Sequence, residues 1–379
     1  MKVKNQIIAD EFGPQHVLEV NSSSPRFRGL LVIDNLALGV GKGGIRLAAG
    51  LTPFELFRLA RTMTWKNSLF ELPFGGAKAG ILVDPKKISP KEKKAIIQAF
   101  AKLLAPFVPK YYIAGPDIGT GEQEMKWFSQ ALGIWKSSTG KPKDFCLCVE
   151  GECSCGLPHE LGSTGFGVAQ ATQVAMGLRR QNLVGAKVAV AGFGNVGTFA
   201  ARHLAELGAK IVAVADVDGT VFDKEGLSVE KLLELKEKRQ SLTAYPGAQI
   251  LPLEKIYELP VDVLIPAAVS DVINRKNYQR VKARIIVEGA NIPIPEEIEE
   301  KLWQKGILIV PDFVANGGGV ISSFAEYRGR SPQAMFRIVG EKIRRATQAV
   351  LRRSLKSGRN PREVALVLAK ERVRRAMKS

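Results

Sequence analysis

The sequence predicts an α/β protein of two domains, one of them a doubly wound parallel sheet, the other an α/β domain facing it across a cleft. Three observations carry this. Residues 183–219 read LVGAKVAVAGFGNVGTFAARHLAELGAKIVAVADVDG, which is a strand, a glycine turn, a helix and a second strand. Both strands are unbroken apolar runs, as expected when helices cover both faces of a sheet. The β–α alternation continues in VDVLIPAA (261–268), ARIIVEGAN (283–291) and GILIVPDFVAN (306–316). The first half has a different character, and 379 residues suffice for two cores. The expected domains are 1–160, with helices of 335–379 packing back on it, and 161–334.

In chain order, HVLEV (16–20) and LLVIDNLALG (30–39) alternate as strands around the turn-rich NSSSPRFRG and predict an antiparallel pair. Residues 52–69 carry apolar side chains at helical spacing, with Thr52 as N-cap and Pro53 at the first helical position, so Lys66 falls in the last turn of a helix. The segment GGAKAG (75–80) reads as a loop that the short apolar strand ILV (81–83) leaves. Ser89 starts a second capped amphipathic helix over 89–108, and YYIAGPDIGT puts Asp117 at the C-terminal end of a strand. The stretches beginning SPQAMF and PREVAL read as terminal helices.

With 45% hydrophobic and 24% charged residues the composition is that of a globular protein and excludes a disordered chain. No run of about 18 apolar residues is present, and the start has no signal-peptide pattern, so a cytoplasmic protein without membrane partners is expected. The net charge of +18 raises nucleic acid as a partner. Much of the excess lies between Lys342 and Lys378, interleaved with apolar residues at helical spacing. A solvated face on packed helices is the preferred explanation.

The glycines Gly192, Gly194 and Gly197 of GFGNVG follow an apolar strand and open a helix, and Asp216 ends the next strand at the roughly 20-residue distance of the dinucleotide fingerprint. This makes the parallel sheet a Rossmann domain. Gly192 permits the tight turn, Gly194 lets the backbone approach a pyrophosphate, and Gly197 lets helix and strand pack closely. Asn195 and Val196 belong to the same helix N-terminal anion site. Asp216 accepts hydrogen bonds from a ribose and repels a 2′-phosphate, so NAD is preferred and NADP is second.

Three lysines, Lys42 in KGGIR, Lys66 in MTWKN and Lys78 in GGAKAG, precede a carboxylate at Asp117 in GPDIGT. Ammonium groups gathered in one pocket call for an anionic ligand, and crowding depresses the proton affinity of at least one of them. One lysine then holds a carboxylate while another exchanges a proton at an α-carbon. Gly43 and Gly44 let the backbone approach that substrate.

All four cysteines, Cys146, Cys148, Cys153 and Cys155, fall within FCLCVEGECSC. Paired C-x-C units in a tight hairpin present four thiolates to one metal, and a structural zinc is the preferred reading. Disulfides, free thiols and an iron–sulfur cluster are its rivals.

From KGGIR to the final helices the ordered motifs resemble the glutamate/leucine/phenylalanine/valine dehydrogenase family. The resemblance implies that Lys78 is the catalytic base, that Asp117 shuttles protons to ammonia and imine, and that Lys66 holds the substrate α-carboxylate. It further implies that Thr164 of STGFG, Asn291 of EGAN and Asn316 of VANGGG contact the nicotinamide half of the cofactor. Met63, where some relatives have glutamine, counts with the substrate contacts. Glutamate-specific members carry a lysine before the GG and a serine after GGV, positions held here by Lys42 and Ser323. An unpaired lysine buried against an apolar side chain is costly, so glutamate, 2-oxoglutarate and ammonium are the expected ligands of a homo-oligomeric enzyme. A dehydrogenase for another amino acid (leucine-like or aspartate), or a silent relative with a nucleic-acid-binding or regulatory role, are the alternatives.

Overall fold

The computed structural model describes residues 7–378; the first six residues and Ser379, the outer ends of the expected first domain, lie outside them. The first unit begins with strands β1 (His16–Ser23), β2 (Arg26–Asn35) and β3 (Gly41–Leu47), then helix α1 (Pro53–Leu69), β4 (Gly75–Ile81), α2 (Pro90–Leu103), β5 (Tyr112–Gly115) and α3 (Glu122–Leu132). A small hairpin, β6 (Cys146–Val149) and β7 (Glu152–Cys155), follows. The larger sheet has the order β1-β2-β4-β3-β5. β1, β2 and β4 are antiparallel neighbours, while β3 runs parallel to β4 and β5.

Local signals account for the helices. The Thr52 side chain accepts from Glu55 N, and Ser89 and Glu92 complete a capping box, each cap satisfying amides that a helix start leaves open. α2 stops at Leu103, short of the expected 108, because Pro106 cannot continue it. Leu31, Ile33, Ile45, Ile97, Phe100 and Phe128 are fully buried in one cluster, each contributing on the order of 2 kcal/mol of apolar transfer.

One expectation is corrected here. GGAKAG is no loop leading to a strand at 81–83; it is itself the central strand β4, and KGGIR is the strand beside it. The glycines serve close packing of chains. A Cβ on Gly76 would stand 2.4 Å from Thr64 N of α1, and one on Gly43 would stand 1.6 Å from the Ala77 carbonyl oxygen.

The second unit comprises α4 (Ser163–Leu178), β8 (Lys187–Ala191), α5 (Asn195–Glu206), β9 (Lys210–Asp216), β10 (Gly219–Phe222), α6 (Val229–Glu237), β11 (Gln249–Leu251), β12 (Val263–Pro266), β13 (Ile285–Val287), α7 (Glu296–Gln304), β14 (Leu308–Val310) and α8 (Asp312–Ala315). Its seven-stranded sheet has the order β11-β10-β9-β8-β12-β13-β14. β9, β8, β12, β13 and β14 are parallel, and β10 and β11 extend the sheet antiparallel. The order reverses on either side of β8, the switch point of a doubly wound sheet. The fold class is therefore the one expected.

Three helices end the chain: α9 (Gly318–Tyr327), α10 (Pro332–Ser357) and α11 (Pro361–Met377). The first unit takes in Val320–Met335 and the chain from Leu366 on, the second Gly162–Gly319 and Phe336–Ala365. The expected return of all of 335–379 to the first unit thus does not describe α10. Phe336 packs on Phe166 with ring centroids 5.1 Å apart, and the half-buried Arg362 pairs with Glu288, Glu299 and Asp312, all within the second unit. Further on, Ser68 Oγ donates to Ala369 O at 2.7 Å and Arg372 donates to Leu69 O at 2.6 Å, within the first.

The zinc expectation is corrected. Cys146 faces Cys155 and Cys148 faces Cys153 across the hairpin, and both pairs are disulfides. Glu150 and Gly151 both have positive φ in the two-residue turn, which matches the strand twist and brings the cysteines opposite one another. No thiolate remains to ligate a metal, and the described residues gather no other group of three or more metal-ligating side chains. No helix among them is long and apolar enough to cross a membrane.

Candidate active site

In the first unit Lys78 lies in the middle of β4, buried, with Nζ 3.0 Å from Asp117 Oδ2. Asp117 lies two residues past the end of β5, and Arg46 of β3 donates Nε to the same carboxylate oxygen at 2.8 Å. Burial presses the Lys78 pKa below its ordinary value, and Asp117 opposes that shift without cancelling it. Burial pushes Asp117 up, but Lys78 and Arg46 together outweigh it and hold the carboxylate below its usual range. Gly44 allows this approach of chains, since a Cβ there would stand 2.6 Å from Pro116 O and 2.8 Å from Asp117 Cβ.

Lys42, on β3, is buried and donates to Ala114 O at 2.8 Å. Gly115 leaves the space its Nζ occupies, for a Cβ there would come within 2.6 Å of it. Burial, with the Lys141 and Lys78 charges adding to it and Glu326 opposing, brings Lys42 to about 7. Ser323 is half-buried on α9, one turn before Glu326. Lys66 and Met63 sit toward the end of α1, both half-buried, on the helix that packs against β4.

Sequence reasoning missed three members of this group. Arg46 stood in the quoted KGGIR without a role. Lys141 and Glu326, 185 positions apart in the chain, form a buried ion pair at 2.6 Å. A lone lysine and a lone helical glutamate carry no local signal of pairing.

In the second unit the glycine loop fits a dinucleotide. Gly192 has φ +104°, open to glycine, and a Cβ on Gly197 would lie 1.8 Å from Gly192 O. A Cβ on Gly194 would meet nothing within 4 Å, so the backbone borders open space at the N-terminus of α5, where Asn195 and Val196 begin the helix. Asp216 closes β9, its Oδ1 accepting from Val217 N. Lys236 of α6 donates to Phe193 O at 2.6 Å and to Thr198 Oγ1 at 2.7 Å, and feels the Asp216 charge.

Asn291 and Asn316 meet, with Asn316 Nδ2 donating to Asn291 Oδ1 at 3.0 Å. Thr164, in the first turn of α4, borders the same segment, since a Cβ on Gly318 would lie 2.8 Å from Thr164 Cα. Arg362 holds the loops beneath these amides through Glu288 and Asp312, each at 2.9 Å, and Glu299. Burial drives the Glu288 carboxyl well above its ordinary range.

Residues 15–133 match the Glu/Leu/Phe/Val dehydrogenase dimerisation domain and residues 156–379 the Glutamate/Leucine/Phenylalanine/Valine dehydrogenase domain. The chain is 37% identical over 369 residues to the NADP-specific glutamate dehydrogenase of Saccharolobus shibatae, covering 93% of this chain and 85% of that one. It is 38% identical to the glutamate dehydrogenase of Aeropyrum pernix, with 96% and 91% covered. The hetero-hexameric glutamate dehydrogenase of Thermus thermophilus, in its leucine-bound form, superimposes with a TM-score of 0.81 at 31% identity, covering 96% of this chain and 89% of that one. A glycine loop built for a dinucleotide in one unit and a depressed lysine on a carboxylate in the other agree with these matches: the chain belongs to the Glutamate/Leucine/Phenylalanine/Valine dehydrogenase family of NAD(P)-dependent amino acid dehydrogenases.

Proposed function

We propose that this enzyme catalyses the reversible oxidative deamination of L-glutamate, in which glutamate, NAD(P)⁺ and water give 2-oxoglutarate, ammonium, NAD(P)H and a proton. The observation that carries the reading is the Lys78–Asp117 pair at 3.0 Å beside a buried Lys42. The nicotinamide, when bound, supplies the acceptor for the α-hydrogen as hydride. The protein handles the protons. Lys78, its pKa depressed by burial, accepts the proton of the water that attacks the imine carbon. Asp117 carries a proton to the departing nitrogen, so ammonia leaves rather than an amide anion. Lys66 holds the α-carboxylate and fixes the α-carbon relative to Lys78. Lys42 and Ser323 take the distal carboxylate, which a buried ammonium favours over an apolar side chain.

Thr164, Asn291 and Asn316 orient the nicotinamide carboxamide in this reading. Asp216 favours NAD by accepting from the ribose and repelling a 2′-phosphate, while Lys236, close enough to feel Asp216, softens that repulsion and admits NADP. The match of 15–133 to a dimerisation domain supports a homo-oligomer. A cytoplasmic location is compatible with the two disulfides, which intracellular proteins of hyperthermophiles carry.

A panel of L-glutamate, L-leucine, L-aspartate and L-norvaline assayed with NAD⁺ and NADP⁺ in parallel tests the reading. Glutamate is expected to lead by at least tenfold in kcat/KM, with NAD⁺ ahead of NADP⁺. A preference for leucine would assign Lys42 another task.

A further inference from the structure

Glu326 is fully buried, yet a side chain needed only to pack would not be a carboxylate. Its Oε1 stands 2.6 Å from Lys141 Nζ, and its Oε2 accepts from Gly140 N at 2.6 Å and from Leu157 N at 3.0 Å. Lys141 is buried too; it donates to Ser138 O and lies 4.0 Å over the Trp135 ring. Lys42 Nζ and the Thr139 amide, two residues before Lys141, both donate to Ala114 O, at 2.8 and 3.0 Å, which sets Lys42 beside this pair; there Glu326 holds the Lys42 proton on and Lys141 drives it off. With Lys42 protonated, this buried group has two ammoniums for one carboxylate. The surplus charge disappears in one of two ways: Lys42 loses its proton, or a second carboxylate arrives.

We propose that Glu326 and Lys141 are positioning residues that set the charge of Lys42, so that recognition of a distal carboxylate is coupled to uptake of a proton at Lys42. The proposal rests on the reading of Lys42 as the residue that meets that carboxylate. Lys42 has a value of about 7 in the free protein, so near neutrality a large share of the molecules carry it uncharged. A carboxylate favours the charged form. Above that pH the proton must come from solvent, and preference for a distal carboxylate falls by about tenfold per pH unit until the bound form titrates.

The charged groups acting on Lys42 come from several elements: Glu326 from α9, Lys141 from the segment after α3, and Lys78 from β4. Lys78 is in turn held by Asp117, with Arg46 behind it. His159, on the turn at His159–Leu161, also feels Lys42. Burial, then the Lys42 charge, depresses the imidazole, which keeps it neutral where Lys42 titrates.

The test is the ratio of kcat/KM for L-glutamate to that for L-norvaline, the same carbon chain ending in a methyl group, measured from pH 6 to 9. Both substrates use Lys66 and Lys78, so ionisations at those residues cancel in the ratio. In the wild type it should fall by about tenfold per unit above 7 and level off at a break on the acid side, where Lys42 is charged with either substrate. Glu326→Gln keeps an acceptor for the Gly140 and Leu157 amides but removes the charge, and should move the break to lower pH. Lys141→Met removes a like charge and should move it to higher pH. General damage to the pocket does not produce opposite shifts.

A pH-independent ratio in a glutamate-active wild type, or variants that shift the break in the same direction, overturns the inference while leaving the proposed function intact. A wild type inactive on glutamate overturns both. If a variant does not fold, calorimetry on the wild type decides, with glutarate and valerate as probes in two buffers of different ionisation enthalpy. Glutarate should take up more protons than valerate at pH 8; equal uptake there overturns the inference.

Discussion

Lys78 Nζ on β4 and Asp117 Oδ2, two residues past β5, lie 3.0 Å apart across the intervening strand β3, and the pair is asymmetric because Arg46 of β3 shares the same carboxylate oxygen at 2.8 Å. Two cations on one carboxylate keep Asp117 ionised, while Lys78 receives only part of its counter-charge. That leaves the lysine the weaker holder of its proton, as a base working near neutrality requires.

Lys78→Ala is therefore expected to lower kcat by about 10²–10⁴-fold, the range typical for loss of a general base. Binding of NAD(H), followed by fluorescence titration, should be unchanged. A parallel loss of cofactor affinity would show that the substitution disturbs more than the base.

Arg46→Met gives a prediction with a sign. Asp117 is held below its ordinary value, so it stabilises the fold above the unfolded carboxylate range and that contribution is lost as pH falls through the folded pKa. Removing Arg46 raises the folded pKa. The acid unfolding midpoint, read by chemical denaturation between pH 3 and 7, should move to higher pH, and the acid limb of kcat/KM should follow.

Gly43→Ala tests why β3 carries glycine at this position. The new Cβ would lie 1.6 Å from a backbone oxygen of the adjacent strand, which has no side-chain rotation to relieve it. Overpacking of this kind costs about 1–3 kcal/mol or more. A drop in thermal midpoint with loss of activity is expected; unchanged stability would mean that the strands separate without cost.

The hairpin supplies a fourth test. Denatured protein without reductant should show no reactive thiols, and prior reduction should expose all four cysteines. Chelators should leave the thermal midpoint unchanged, whereas reduction should lower the stability of the hairpin, as closure of even short loops contributes roughly 2–3 kcal/mol. Bound zinc in the purified protein would contradict the pairing of these sulfurs.

Local chemistry made much of this legible from the chain alone. Caps at Thr52 and Ser89, the unbroken apolar strands, and the glycines of 192–197 each act over a few residues, so sequence spacing reveals them. GGAKAG was misread as a loop because glycine signals a turn only when the chain must bend. Here Gly76 and Gly43 make room for Thr64 and for the Ala77 carbonyl, neighbours that no local pattern contains. The cysteine spacing pointed correctly to a hairpin but wrongly to zinc, because thiolate ligation and cross-strand pairing have the same local pattern; direct cross-strand register pairs the four sulfurs as disulfides.

By itself the sequence determined the α/β class and the dinucleotide loop, because each rests on residue type at short range, and it singled out Lys42, Lys66, Lys78 and Asp117 as candidates. Only the tertiary structure decided the charges those residues carry. The Lys141–Glu326 pair joins segments 185 residues apart, and Arg362 reaches Glu288 across 74. Burial and counter-charge are properties of the assembled chain, and they are what lower the proton affinity of Lys42 and Lys78.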